Sequence, residues 1–377
     1  MGTNAMIRAT GAVLADYHQP FEIAEVELDD PRDNEVLVRV VATGLCHTDL
    51  SVRENITPFP LPGVIGHEGA GVIEAVGDRV TSVQPGDHVV MSFASCGQCR
   101  LCRAGRPAYC VQWLILNLFG GARPDGTATI RRNGTELHGH FFGQSSLATR
   151  AIAPARSVVT VPKDVDLALL GPLACGVQTG VQSVLNVLRP APGSTLAVYG
   201  AGAVGLSALL AARNVTAATT YVVDINAHRL TIADQLGAAA TIDSSKRDPV
   251  EVLRELTDGA GVDNALETSG IPSVLRQAVD SLAPLGSAGV IGAPPLGAEV
   301  GLHVLDFIAK GIRVVGINQG NAIPHESIPA MVELFRQGRL PFDQLLTFYE
   351  LANIAQAVED MASGQVIKPV IRLSAAP

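Results

Sequence analysis

The stretch Thr195–Ala212, TLAVYGAGAVGLSALLAA, decides the fold. TLAVY reads as a short apolar strand, Gly200, Gly202 and Gly205 form G-x-G-x-x-G, and LSALLAAR continues as a helix. A lone match to this pattern is weak. Here an acidic residue, Asp224, also ends the next strand-like run, 19 positions after Gly205, which completes the context of a dinucleotide-binding turn. Gly200 permits the tight turn, Gly202 lets a pyrophosphate approach, and Gly205 lets helix and strand pack closely. The helix N-terminus then faces the phosphate charge. Asp224 would accept hydrogen bonds from the adenosine ribose and repel a 2′-phosphate, which favours NAD over NADP. The competing reading is a glycine-rich βαβ turn that binds nothing. By length the same run could cross a membrane, but its glycine-rich centre favours the βαβ unit.

Outward from this turn, LAVYG, TYVVDI, NALETSG and SAGVIGA alternate with helix-like segments after about residue 180. That is the sequence form of a doubly wound parallel sheet. Upstream, VLVRVVAT (36–43) alternates at first, and residues 70–91 give two more strands separated by Gly, Pro and Asp turns, so the first part reads as a small β-rich barrel. From about 320, HESIPAMVELFRQGRL and ELANIAQAVEDMASGQ read as helices and KPVIRLS as a closing strand. A chain of 377 residues exceeds one ordinary core, so two domains are expected.

Hydrophobic residues at 47% and charged residues at 17% make the chain globular rather than disordered. A net charge of −9 without a basic cluster argues against a nucleic-acid partner. The first twenty residues show no apolar signal core, and Met6 fails the myristoylation pattern. The expectation is a cytoplasmic protein, in which Asn133-Gly-Thr and Asn214-Val-Thr match the glycosylation pattern by chance.

Six cysteines in a reducing compartment point to metal, redox chemistry or packing rather than disulfides. Cys96, Cys99, Cys102 and Cys110 lie within 15 positions. Four soft ligands suit a closed tetrahedral zinc that pins a loop, with a redox pair or an iron–sulfur cluster as competitors. Cys46 and Cys175 remain, with His47 beside the first and His67-Glu68 in GVIGHEGAGVIEAVG. Three protein ligands plus water is the catalytic zinc pattern, and Cys₂His is one of its forms. Spacing alone leaves Cys46, His67 and Cys175 open between that set and ordinary buried residues.

GLCHTD, GHEGAGVIEAVG, PGDHV, the C-x₂-C-x₂-C-x₇-C lobe, GPLACGVQTG, GAGAVG and VVDIN run in order from about residue 10 to the C-terminus. Together they make the chain resemble the zinc-dependent medium-chain alcohol dehydrogenases. Through CHTDL, HFFGQSS and LPFDQL it is most like the NAD-dependent aryl-alcohol (benzyl-alcohol) dehydrogenases of that family. The resemblance implies an α/β architecture in two parts. A β-rich, GroES-like barrel forms a catalytic domain at 1–178, with a structural zinc lobe at about 94–112. A doubly wound parallel-sheet Rossmann domain follows at 179–319, and the chain returns to the catalytic domain at 320–377.

It further implies a catalytic zinc on Cys46, His67 and Cys175, with Glu68 close behind. Asp49 would orient the histidine ligand, and Thr48 would bond the substrate oxygen and start proton removal. His47 and Arg372 would flank the cofactor pyrophosphate, and Thr179, Val204, Ile225 and Arg229 would line the cofactor site. For the charged members of this set the alternative is a solvated or capping charge. The implied cofactors are NAD and two zinc ions per chain. The implied partner is a small apolar alcohol or aldehyde, with no nucleic acid and no membrane. A homodimer or homotetramer is implied, and the long region between Cys110 and Phe141 resembles the dimeric branch.

The implied reaction is reversible oxidation of an apolar primary alcohol to the aldehyde by hydride transfer to NAD, with zinc acidifying the alcohol. Where many relatives place a histidine three positions after the relay hydroxyl, this chain has Ser51, so His47 or solvent would take the proton. Phe93, Trp113, Leu116, Phe119, Phe141 and Phe142 are candidates for an apolar pocket suited to benzyl alcohol or geraniol, or else core. Such a pocket disfavours polyols, whose hydroxyls would be buried unpaired. A thiol-adduct formaldehyde dehydrogenase would need basic residues, and VQWLILNLF after Cys110 has none. A broad-range alcohol dehydrogenase also fits the fold. A zinc-free quinone reductase would lack the cysteine lobe, and a non-enzymatic NAD-binding protein would be expected to have lost Cys46, Thr48 or His67.

Overall fold

A computed structural model describes residues 6–375 of the chain. Residues 1–5, part of the stretch read above as lacking a signal sequence, lie outside them. The chain divides into two compact units, the first holding residues up to Cys175, Ile323–Val332 and the stretch from Leu346 on. The second holds Gly176–Ala322 and Glu333–Leu345, so the division falls inside the helix Pro324–Arg336.

The first unit opens with strands β1 (Ile7–Leu14), β2 (Glu22–Leu28) and β3 (Glu35–Gly44), then helix α1 (His47–Arg53). Next come β4 (Gly63–Val64), β5 (Gly69–Val76), β6 (His88–Met91) and the single helical turn α2 (Arg100–Arg103). Strands β7 (Ile130–Arg132), β8 (Thr135–Leu137), β9 (Arg150–Pro154) and β10 (Val158–Thr160) lead to α3 (Leu167–Leu170).

The second unit runs α4 (Gly176–Gln182), β11 (Thr195–Tyr199), α5 (Ala203–Ala211), β12 (Thr219–Asp224), α6 (Ala227–Gln235) and β13 (Ala240–Asp243). It continues with α7 (Pro249–Leu256), β14 (Val262–Glu267), α8 (Pro272–Asp280), β15 (Leu282–Val290), α9 (Val304–Lys310) and β16 (Arg313–Gly316). The chain ends with α10 (Pro324–Arg336), β17 (Leu346–Glu350), α11 (Ile354–Ser363) and β18 (Lys368–Arg372).

In the first unit one sheet has the order β4-β1-β2-β7-β8, and a second has β10-β6-β5-β3-β18-β17 with β9 also on β3. VLVRVVAT is the heart of the second sheet. Val36, Val38 and Val40 pack with Ile73, Val89 and Met91, while Leu37 joins the other core cluster. Both faces of β3 are therefore covered, which is why alternation fades along it. The second unit carries the parallel sheet β13-β12-β11-β14-β15-β16. The Thr195–Ala212 run splits into β11, a turn and α5, and no single helix among the described residues is long and apolar enough to cross a membrane.

The long connection after Cys110 is tied to the barrel by Arg123. Its guanidinium donates to both Glu35 oxygens at 2.8 and 3.0 Å and to Asp29 Oδ2 at 2.8 Å, and it is buried. His140 is buried under the influence of the same ions. Burial, with the Arg123 charge, pushes His140 down to about 4, against the pull of Glu35. An unfolded histidine protonates near ~6.5, so this site contributes full stability above that pH and loses it as pH falls toward 4. The loss accumulates at about 1.4 kcal/mol per pH unit, about 3 kcal/mol across the window. Because the backbone at His140 is left-handed (φ 60°), a conformation Asn tolerates, His140→Asn should flatten the urea midpoint between pH 6.5 and 4.5 relative to the wild type.

Candidate active site

α1 begins directly after Cys46, and Asp49 both caps the helix and faces the next ligand. Asp49 Oδ2 accepts from Cys46 N–H at 2.9 Å, and Asp49 Oδ1 lies 3.1 Å from His67 Nδ1. With the carboxylate as acceptor, Nδ1 donates its proton to Asp49, and Nε2 is the nitrogen left to bind a cation. His67 Nε2 is buried and has no hydrogen-bond partner. It belongs to a group in which one ligand atom each of Cys46, His67, Glu68 and Cys175 lies within 4.8 Å of the others.

The charges of this group suit a divalent cation. Without one, the Cys175 thiol hydrogen-bonded to Cys46 holds Cys46 well below the usual thiol range, against burial and with help from Lys368 and His67. Cys175 is pushed up by the same thiolate and by burial. Burial opposes a charged imidazole, yet Asp49 and Cys46 push His67 up to about 10. Burial, with the Cys46 thiolate, pushes Glu68 up to about 7 against Lys368. A cation bound here would take the place of the protons that these donors otherwise hold. A bare imidazole nitrogen and two thiols in one dry spot fit zinc.

Thr48 Oγ1 lies 3.7 Å from Cys46 Sγ, at the edge of the ligand set. Ser51 is turned away: its hydroxyl donates to Thr48 O at 2.8 Å and pairs with Thr57 Oγ1 at 2.8 Å. His47 is the exposed first residue of α1. Arg372 is at the exposed end of β18, with its guanidinium 4.6 Å above the Phe348 ring.

The aromatic candidates divide into core and rim. Phe142 stacks on the His67 ring at 4.4 Å, Phe141 meets it edge-on at 5.5 Å, and Trp113 meets Phe142 edge-on at 5.7 Å. Phe93, Phe141 and Phe142 belong to the main core cluster of the unit, and Phe141 and Phe142 back the imidazole. Trp113, Leu116 and Phe119 are partly exposed.

Two residues near the cluster escaped the sequence reading. Gln144 Nε2 donates to His67 O at 3.0 Å and to Met91 O at 2.9 Å, which fixes the backbone that carries the ligand. Lys368 is buried, with Nζ 2.8 Å from Glu68 Oε1 and 3.1 Å from Leu45 O. A lone lysine inside the apolar IKPVI is its only signal in the sequence.

The second cysteine group is also brought together: ligand atoms of Cys96, Cys99, Cys102 and Cys110 lie within 4.8 Å of one another. Backbone N–H groups point at the sulfurs, Cys99 N at Cys96 Sγ and Cys102 N at Cys99 Sγ, each 3.4 Å. The Cys102 and Val111 N–H groups push Cys99 down to about 6. Four sulfurs with thiolate-stabilising donors and little local core fit a closed structural metal.

In the second unit, Gly200 has φ 106°, open only to glycine, and a Cβ on Gly205 would lie 1.9 Å from Gly200 O. A Cβ on Gly202 would meet nothing within 4 Å, which leaves room at the start of α5 for a phosphate. Asp224 ends β12, where Oδ2 accepts from Ala201 N at 2.6 Å and Oδ1 from Ile225 and Asn226 N at 2.8 Å. Ile225 is 70% exposed beside it. Val204 lies in the first turn of α5, Thr179 is buried on α4, and Arg229 on α6 has a buried Nε without a hydrogen-bond partner. This cradle fits a dinucleotide.

Residues 32–163 match the alcohol dehydrogenase GroES-like domain, and residues 203–337 match the zinc-binding dehydrogenase family. The geraniol dehydrogenase of Castellaniella defragrans is 41% identical over 98% of this chain and 99% of its own. The S-(hydroxymethyl)glutathione dehydrogenase of a Synechocystis species is 33% identical over 97% of this chain and 100% of its own. The crystal structure of the benzyl alcohol dehydrogenase from Acinetobacter calcoaceticus superposes with a TM-score of 0.94 at 44% identity, covering 98% of this chain and 100% of that one. On these grounds the chain belongs to the zinc-dependent medium-chain alcohol dehydrogenases.

Proposed function

We propose that this enzyme oxidises apolar primary alcohols of the allylic or aryl type, such as geraniol or benzyl alcohol, reversibly to their aldehydes with NAD. The observation that carries the reading is the Cys46, His67 and Cys175 set, in which His67 and Cys175 are buried and the imidazole, its Nε2 without a hydrogen-bond partner, is backed by Phe141 and Phe142. The 41% identity to a geraniol dehydrogenase and the 44% identity to a benzyl alcohol dehydrogenase support the substrate class. Zinc on this set would supply a Lewis acid that acidifies the alcohol, and NAD at the glycine turn would supply the hydride acceptor. A second zinc in the cysteine lobe would be structural.

The remaining work falls to the chain. Asp49 holds the His67 ring with Nε2 facing the ligand group. Phe142, stacked on that ring, keeps it in place and excludes water. Thr48 Oγ1, at the edge of the set, accepts the substrate hydroxyl proton and passes it on. Ser51 is committed to α1 and Thr57, so the proton leaves by way of exposed His47 or solvent. Asp224 would bind the ribose hydroxyls and disfavour NADP. His47, Arg372, Thr179, Val204, Ile225 and Arg229 would complete the cofactor contacts. A cytoplasmic homodimer or homotetramer belongs to the same proposal, and the exposed Val304, Leu305 and Ile308 on α9 support association.

The test is NADH formation with geraniol, benzyl alcohol, a polyol and S-(hydroxymethyl)glutathione, each with NAD and NADP. The expected result is turnover of the first two with NAD, and little with the polyol, whose extra hydroxyls go unpaired. Preference for the glutathione adduct would favour the second reading that the Synechocystis relative suggests. No turnover of any alcohol would overturn the proposal.

A further inference from the structure

Behind the ligand set sits a buried ion pair that the reaction above does not use. Glu68 follows His67 in the chain, and its carboxylate is within 4.8 Å of the Cys46, His67 and Cys175 ligand atoms. A carboxylate so placed is itself a competent zinc ligand, and on zinc it would occupy the position that an alcohol needs. Two features seat it elsewhere. Lys368 Nζ binds Glu68 Oε1 at 2.8 Å and is itself anchored on Leu45 O at 3.1 Å. On the other side Gly44 is bare, and a Cβ there would fall 1.9 Å from Glu68 Oε2.

The sheet builds this seat. β18 pairs antiparallel with β3 through Val370↔Gly44 and Ile371↔Thr43, and Leu45 N donates to Pro369 O at 2.9 Å. Gly44 N donates to Glu68 O at 3.0 Å, fixing the backbone of the acid. Both side chains of the pair are shielded, 2% and 0% exposed. An ammonium in such a place needs its partner, and so does the carboxylate.

We propose that Lys368 is a positioning residue that, with bare Gly44, holds the Glu68 carboxylate off the fourth position of the Cys46–His67–Cys175 zinc, keeping that position open to the substrate oxygen. The inference rests on the proposed function for the identity of the metal site, but not on which alcohol is used or on NAD.

Imidazole binding to the cobalt(II)-substituted protein, followed by the visible cobalt bands without NAD or alcohol, reads the open position directly. Lys368→Met should weaken imidazole binding by roughly 10–100-fold, the usual effect of a partner behind a metal ligand. Gly44→Ala, which pushes the carboxylate out of its seat with Lys368 intact, should do the same. Adding Glu68→Gln to either variant removes the competing anion and should restore wild-type affinity, and Lys368→Arg should keep most of it. Unchanged imidazole affinity in a cobalt-loaded Lys368→Met or Gly44→Ala protein overturns the proposal. So does loss of cobalt from both variants without rescue by Glu68→Gln, because the pair is then only structural. A wild-type chain that gives no cobalt bands at all defeats the metal-site reading itself, and the proposal with it. Inactivity toward every alcohol, with normal imidazole binding, defeats only the substrate reading.

Discussion

On the proposed function, with two zinc ions per chain and NAD as hydride acceptor, Cys175→Ser should remove one zinc and cut alcohol oxidation by more than about 100-fold, beyond the roughly 10–100-fold typical of partners one step behind a ligand. The reason is chemical rather than steric. Cys175 is buried against Cys46 and shares a proton with it. A bound cation displaces that proton and takes the thiolate, whereas a serine hydroxyl does not ionise in this range. The exchange of sulfur for oxygen changes little volume, and the neighbouring turn Gly171–Ala174 is set by backbone bonds, so thermal stability should stay near that of the wild type. Metal analysis and initial rates on the same preparation check the prediction. Two zinc ions with a near-wild-type rate would take Cys175 out of the ligand set.

The same residue shows where the sequence stops being readable. Cys96, Cys99, Cys102 and Cys110 are close along the chain, so a single loop brings their sulfurs together, and spacing alone identifies them. Cys46, His67 and Cys175 are joined only by tertiary structure, and residue spacing left them open until the family resemblance was added. The glycine turn was legible because each glycine answers a backbone demand, as the φ of Gly200 and the close approach at Gly205 show. Lys368 was not, because a lysine in an apolar strand has no visible partner until β18 lies against β3 and brings it to Glu68. Aromatic content likewise could not separate pocket from core. Phe141 and Phe142 both belong to the core, and only their ring contacts with His67, one edge-on and one stacked, tell which atoms they serve. Ser51 was read as an unsuitable base, and its place in the fold, tying α1 to Thr57, was not legible because that contact forms only when the chain after α1 turns back.

Cys99→Ser should open the cysteine lobe while leaving the catalytic ligand set chemically intact. The lobe has almost nothing else to hold it. α2 is a single turn with no buried residue, and between Cys96 and Cys110 the buried side chains are Ala108 and Cys110 itself. One small apolar contact contributes about 1 kcal/mol, whereas four-ligand zinc sites in small peptides supply an apparent 10–16 kcal/mol, roughly. A metal on these four sulfurs would therefore be the core of the lobe. Arg100 and Arg103 are exposed on it, so an opened lobe presents two trypsin sites that the closed lobe holds in fixed backbone geometry, whereas the Arg106–Pro107 bond resists trypsin. Limited trypsin digestion should cut the variant after Arg100 and Arg103 at once, and the wild type only after prolonged chelation. A loss of several kcal/mol in the first unit should also lower its melting temperature by about 10 °C, at roughly 2–4 °C per kcal/mol. Loss of one zinc with unchanged trypsin resistance would mean that backbone packing, not the metal, closes the lobe. Loss of both zinc ions would instead couple the lobe to the catalytic set, a link that the separate ligand groups give no reason to expect.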